Sequence, residues 1–213
     1  MGAAGKSYRL AIFDFDGTLA DTLPWFMRAI DGVTEEFGLR RIGAAERQAL
    51  RACHPREILA RLNVPVWQVP RIARRMRQLK AIDAPRLPLF PGAVELLRDL
   101  ARRGVGRAIA SSDTEANIRS TLGADNAALI QHYACGAALF GKPRKLRQVL
   151  RHLRVPPEQA IYIGDELRDA DAARAAGIDF AAVAWGYAAP EALRAQQPTR
   201  FFASIGEVVP AFT

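Results

Sequence analysis

Hydrophobic positions along the chain change their period twice. Residues 8–13 form a short apolar run rich in strand formers, and it stops abruptly at Asp14, Asp16 and Gly17. From 20 to 84 the apolar positions recur at helical spacing. They predict helices over 23–37, 43–52, 56–62 and 66–82, with Pro70 ending or kinking the first turn of the last. A Pro-punctuated linker follows, from Ala84 to Gly92. Beyond it the pattern alternates. Helices are predicted over 93–103, 114–122, 142–153 and 166–176, and strands over 105–110, 134–135, 160–163, 180–185 and near 201–202.

Strands separated by single helices imply a parallel, three-layer, Rossmann-like α/β sheet. The strand at 8–13 belongs to that sheet, so the helical block is an insertion. We place the α/β core at 1–19 and 86–213 and the all-helical insertion at 20–85, a size able to hold a small core of its own.

Half of the 213 residues are hydrophobic and 24% are charged, which points to a packed interior and away from disorder. No apolar run approaches the ~20 residues of a membrane span. Residues 1–7 lack the apolar centre of a secretory leader, so the expected compartment is the cytoplasm. Cys53 and Cys135 stand far apart, without the spacing of a disulfide framework or a zinc site. The net charge of +8 raises nucleic acid as a partner. Residues 20–86 hold 13 Lys or Arg against 7 Asp or Glu, densest at Arg71, Arg74, Arg75, Arg77 and Lys80. Apolar Ile72, Met76 and Leu79 lie among them at helical spacing, with no interleaved aromatics for base stacking. A solvated helix face is therefore favoured over a polyanion site, and such a surface also steers small anions.

Asp14 and Asp16 are too costly to bury unpaired inside a strand. They belong at its carboxyl end, where parallel sheets keep their ligand crevice, and Gly17 permits the sharp turn. Three other polar sites punctuate later elements: Ser111, Lys142, and Asp165 with Asp169. Each has a plain alternative: a helix cap for Ser111, a surface lysine for Lys142, first-turn acids favoured by the helix dipole for Asp165 and Asp169. Glu166 and Asp171 fall in that last class. Together, however, the four sites share one edge of the sheet. Asp14, Asp165 and a backbone carbonyl are hard oxygen ligands suited to Mg2+. Ser111 and Lys142 offer donors to an anion beside a free carboxylate, the arrangement that phosphoryl displacement needs.

The ordered set Asp14-Phe-Asp16-Gly-Thr, Ala-Ser111-Ser, Gly-Lys142-Pro and Gly-Asp165-Glu-Leu-Arg-Asp169 resembles the four motifs of the haloacid-dehalogenase superfamily. The likeness runs from residue 8 to about 190. The helical insertion directly after the first motif resembles the cap of the phosphoglycolate-phosphatase-like branch. The resemblance implies that Asp14 is the nucleophile and that Asp16 is the general acid and base. It implies that Ser111 and Lys142 hold the phosphoryl oxygens, with Gly17, Thr18 and Ser112 completing that site. It further implies Mg2+ at Asp14, Asp16 and Asp165, with Asp169 in support. Dehalogenases and phosphonatases of the superfamily lack an acid at the position of Asp16, so its presence favours phosphate esters. Phe26 stands where the mutase relative beta-phosphoglucomutase carries a histidine, which weakens a mutase reading. The stretch from Ala52 to Glu57 resembles the substrate-facing cap loop. It makes Arg56 the candidate for a substrate contact, with His54 beside it.

The expectation is thus a Mg2+-dependent phosphatase of a small phosphorylated metabolite, such as phosphoglycolate. Rival readings are a phosphomutase, a non-enzymatic binding module and, more weakly, a phosphatase associated with nucleic acid. Monomer and homodimer are equally open.

Overall fold

The computed structural model describes residues 7–136 and 141–212. Residues 1–6 of the expected non-leader stretch lie outside them. Among the described residues, six strands form one sheet: β1 (Leu10–Phe13), β2 (Gly106–Ala110), β3 (His132–Ala134), β4 (Ala160–Gly164), β5 (Asp179–Val183) and β6 (Arg200–Phe202). Their order is β3-β2-β1-β4-β5-β6, and every pairing is parallel. β1 lies at the centre because its four residues are all buried and can face helices on both sides.

Among the described residues, ten α-helices accompany the sheet. α1 (Leu23–Glu36), α2 (Ala44–Leu50), α3 (Pro55–Arg61) and α4 (Val69–Asp83) follow β1. α5 (Ala93–Arg102), α6 (Glu115–Leu122), α7 (Ala124–Ala127), α8 (Lys142–Leu153), α9 (Leu167–Ala176) and α10 (Pro190–Arg194) follow in the alternating part. Strand alternation divides the interior into two layers. Ala11, Phe13, Ile109 and Ile163 pack with Leu96, Leu97 and Leu100 of α5 and Ile118 of α6. Leu10, Ile12, Ala108 and Tyr162 pack on the other face with Leu146 and Val149 of α8 and Ala173 of α9.

The predicted elements are present, with small shifts at their ends. The helix expected from 66 begins as a 3-10 turn over Val66–Gln68 and becomes α-helical only at Val69, because Pro70 is tolerated in a first turn. The strand expected at 134–135 lies at His132–Ala134. The strand expected over 180–185 ends at Val183, short of Trp185.

The chain crosses between the sheet and helices α1–α4 twice, and the two crossings run side by side. Asp21 N donates to Pro88 O at 2.9 Å, and Phe90 N donates to Leu19 O at 2.9 Å. Ala20 and Leu89 form an antiparallel bridge there. Such paired crossings hold the four helices above the carboxyl edge of the sheet on two short connections.

Candidate active site

Register sets the first part of the site. Phe13 pairs with Ile109 on one side and Ile163 on the other, so Asp14, Ser111 and Asp165 emerge within two residues of one line along the sheet edge. Asp14 is buried, and both of its oxygens are held. Phe15 N donates to Oδ1 at 2.7 Å, and the Lys142 ammonium donates to Oδ2. Lys142 opens α8, where its Nζ reaches over the sheet to Asp14 and also to Asp169 Oδ1. Burial alone would favour the neutral amine, but the two carboxylates outweigh it and raise the Lys142 pKa above the ordinary lysine value.

Asp169 is fixed by the local architecture of α9. Glu166 is the N-cap, and the capping box ties Glu166 N to Asp169 Oδ2 at 3.0 Å. Burial, opposed by Lys142, pushes the Asp169 pKa up to about 6. Asp165 accepts from Thr18 Oγ1 at 2.7 Å and from Tyr187 N at 2.8 Å. Two glycines make room for it, since a Cβ on Gly17, whose φ is +76°, or on Gly186 would strike its carboxylate. Burial, reinforced by Glu166, Asp14 and Asp169, drives the Asp165 pKa well above the carboxylate range.

These groups floor a cavity of about 410 Å³ between the sheet edge and helices α1–α4. Asp14, Asp16, Ser111, Ser112, Glu166 and Arg168 face it directly. Lys142, Asp165 and Asp169 lie a layer below, buried behind Asp14 and Glu166. The carboxylate oxygens of Asp14, Glu166 and Asp169 lie within 4.8 Å of one another. Hard oxygen donors at this spacing fit a Mg2+ ion. Each Asp165 oxygen keeps a second lone pair beyond its one hydrogen bond, so it too can ligate.

Two expectations change, and one alternative falls. Arg56 is exposed and does not line the cavity. On α3 and its C-cap, Pro55, Ile58, Leu59 and Leu62 face the cavity, and helical periodicity sets Arg56 roughly 110° away from their mean direction. His54 instead caps α3 and pairs with Asp171 at 3.0 Å, linking the helices above the sheet to α9. Thr18 turns its hydroxyl to Asp165 and Gly17 yields space to it, so neither side chain position faces the cavity as a substrate contact. Ser111 does not cap a helix. Its Oγ accepts from Asp113 N at 3.2 Å, and Thr114 caps α6.

Sequence reasoning also missed partners. Lys80, counted with a solvated face, is only 4% exposed. Its ammonium reaches Asp16 Oδ1 and lies 2.7 Å from Asp113 Oδ2, so α4 delivers a cation to the floor. The available signal was its place on the stripe of Val69, Ile72, Ala73 and Met76, not on the face of Arg71 and Arg74. Burial raises the Asp16 pKa, and Lys80 partly opposes that. Arg51 closes the far side, with Nε donating to Tyr187 O at 2.9 Å and a terminal nitrogen to Gly186 O at 3.0 Å.

Residues 11–183 match the family model for haloacid dehalogenase-like hydrolases. The chain belongs to that family. It is 32% identical over 203 residues to a phosphoglycolate phosphatase of Synechococcus elongatus, covering 95% of this chain and 96% of the relative. It is also 32% identical over 196 residues to the tyrosine-protein kinase PtkA of Mycobacterium tuberculosis, covering 86% of this chain and 64% of that protein. In structure it is similar to a haloacid dehalogenase-like hydrolase of Streptococcus pneumoniae. There the TM-score is 0.80 at 24% identity, over 97% of this chain and 99% of the other. Within the family, the chain falls in the phosphoglycolate-phosphatase-like branch. Among the described residues, no helix is long and apolar enough to cross a membrane.

Proposed function

We propose that this hydrolase is a Mg2+-dependent phosphatase of small phosphate monoesters, acting through an aspartyl-phosphate at Asp14. The observation that carries the reading is the pair at the cavity floor. Asp14 is a fixed carboxylate, and Asp16, two residues on, is an acid whose burial favours its protonated form. Asp14 attacks phosphorus and the ester oxygen departs with the proton of Asp16. Asp16, now ionised, takes a proton from water as that water attacks the phosphoenzyme, which releases inorganic phosphate and restores both acids. Ser111 and Ser112 supply donors around the transferring group, and Lys142, held on Asp14 Oδ2, supplies positive charge from behind the nucleophile.

Asp14, the Asp16 backbone carbonyl, Asp165 and the acids Glu166 and Asp169 would hold Mg2+. When bound, the ion offsets negative charge on the phosphoryl oxygens as Asp14 approaches. Helices α1–α4 act as a cap on the two paired crossings, and their closure excludes water that takes no part.

Phosphate release from a panel of monoesters, phosphoglycolate included, tests this with and without Mg2+. Turnover that needs Mg2+ and is lost in Asp14→Asn supports it. Well-folded protein that releases no phosphate from any ester would overturn it. Transfer of phosphate to a second hydroxyl, with none freed, would replace it by the mutase reading.

A further inference from the structure

The cavity above Asp14 is divided by chemistry. Its floor is polar and mixed in charge: Asp14, Asp16, Asp113 and Glu166 line it with Arg168, Lys80 and Arg77, and Arg168 is paired with Glu166 while Lys80 is paired with Asp16 and Asp113. Arg77 lies one turn before Lys80 on α4, and among the described residues its guanidinium has no hydrogen-bond or ion-pair partner. Its carbonyl accepts from Asn117 Nδ2 at 3.2 Å, which keeps it beside α6 and the sheet edge. Higher in the cavity the wall is apolar. Phe26, Ile30, Ile58, Leu62, Ile72 and Met76 are all half-buried and all line it.

The arginines that reach this upper wall bring little free charge. Arg40 is bound by Glu46, and Arg47 by Asp31 and the carbonyls of Met27 and Ile42. Arg51 is held by the carbonyls of Gly186 and Tyr187. Water gains little here, because a buried water needs several polar partners and the upper wall supplies few. A two-carbon acid such as phosphoglycolate would leave most of the 410 Å³ unfilled and set a second charge toward apolar side chains.

We propose that the substrate is a phosphate monoester with an apolar body, alkyl or aryl, much longer than two carbons. Its phosphate sits at the polar floor beside Ser111, Ser112 and Arg77, and its body lies between helices α1–α4. This rests on the phosphatase reading, and it names the substrate class of that same site. Each methylene moved from water into the cavity adds about fourfold to kcat/KM until the space is filled.

The test runs two series on the full chain. One measures hydrolysis of n-alkyl phosphates of increasing length, with phenyl phosphate and phosphoglycolate. The other measures binding of n-alkyl phosphonates, which cannot be hydrolysed, by calorimetry. Rising kcat/KM and rising affinity with chain length, well above phosphoglycolate, support the proposal. Ala73→Trp, which narrows the upper cavity, then moves the plateau to shorter chains. Turnover of phosphoglycolate with no dependence on chain length in either series overturns the proposal and leaves the phosphatase reading intact. A chain-length dependence in phosphonate binding without turnover of any ester supports the cavity assignment while the phosphatase reading falls. A folding failure of Ala73→Trp leaves the two wild-type series to decide the matter.

Discussion

Replacing Lys142 by methionine removes the cation that holds together the most buried part of the site. Lys142 is 3% exposed, and its ammonium joins Asp14 to Asp169, which are 4% and 0% exposed. Methionine fills much the same space but leaves both carboxylates in a low-dielectric site beside a third, Asp165. Breaking a buried pair from one side costs about 3–5 kcal/mol, mostly the charge left uncompensated. That cost depends on pH, and its sign follows from Asp169. Its pKa is already about 6 with Lys142 present, above the unfolded value. A raised acid stabilises the fold fully below its unfolded pKa, and this contribution is lost as pH rises through the folded pKa. Without Lys142 the folded pKa rises further. From about pH 6 upward the variant therefore loses up to about 1.4 kcal/mol per pH unit that the wild type does not lose. Urea unfolding of both proteins at pH 6, 7 and 8, compared at equal m-value, measures this difference directly. A loss below about 1 kcal/mol at pH 8, or one that shrinks as pH rises, would refute the idea that Lys142 neutralises this acid cluster.

Three other outcomes are expected. Lys80→Met removes the cation that lowers the Asp16 pKa against burial, so the alkaline limb of the kcat/KM profile should move to higher pH; an unmoved limb would separate Lys80 from the acid. Gly186→Ala places a Cβ against the Asp165 carboxylate, and the Mg2+ concentration for half-maximal activity should rise tenfold or more (about 1.4 kcal/mol), with far-UV circular dichroism unchanged. Arg51→Ala deletes two bonds across the cap contact, and limited proteolysis in the 37–44 connection should quicken while the α/β part stays protected; equal cleavage rates would count against that contact holding the cap.

The class of fold was legible because strand and helix periods are local properties of the chain. The Tyr8–Phe13 run, the helical spacing of 20–84 and the alternation after 93 needed no knowledge of neighbours. That Asp14, Ser111 and Asp165 share one edge was legible too, since parallel strands bring their carboxyl ends together; the register that lines them up was not. Arg56 shows where this stops. Its position at the start of a helix was visible, but the rotation of α3 about its own axis depends on which apolar stripe meets the cavity. Lys80 shows the same limit in reverse. One-dimensional charge counting placed it on a solvated face, whereas packing of α4 against α6 carried it to Asp16 and Asp113.

The sequence by itself determined the parallel sheet, the run of helices after the first strand and the polar residues at the strand and helix ends. Each of these follows from spacing along the chain. Only tertiary structure decided which carboxylates converge, because Glu166 joins Asp14 and Asp169 through the cap of α9 while Asp165 turns to Thr18 and Tyr187. It alone decided the division of the cavity into a polar, charged floor and apolar walls. Long-range contacts fix how far each side chain lies from water and from the next charge, and a chain read residue by residue carries no such distances.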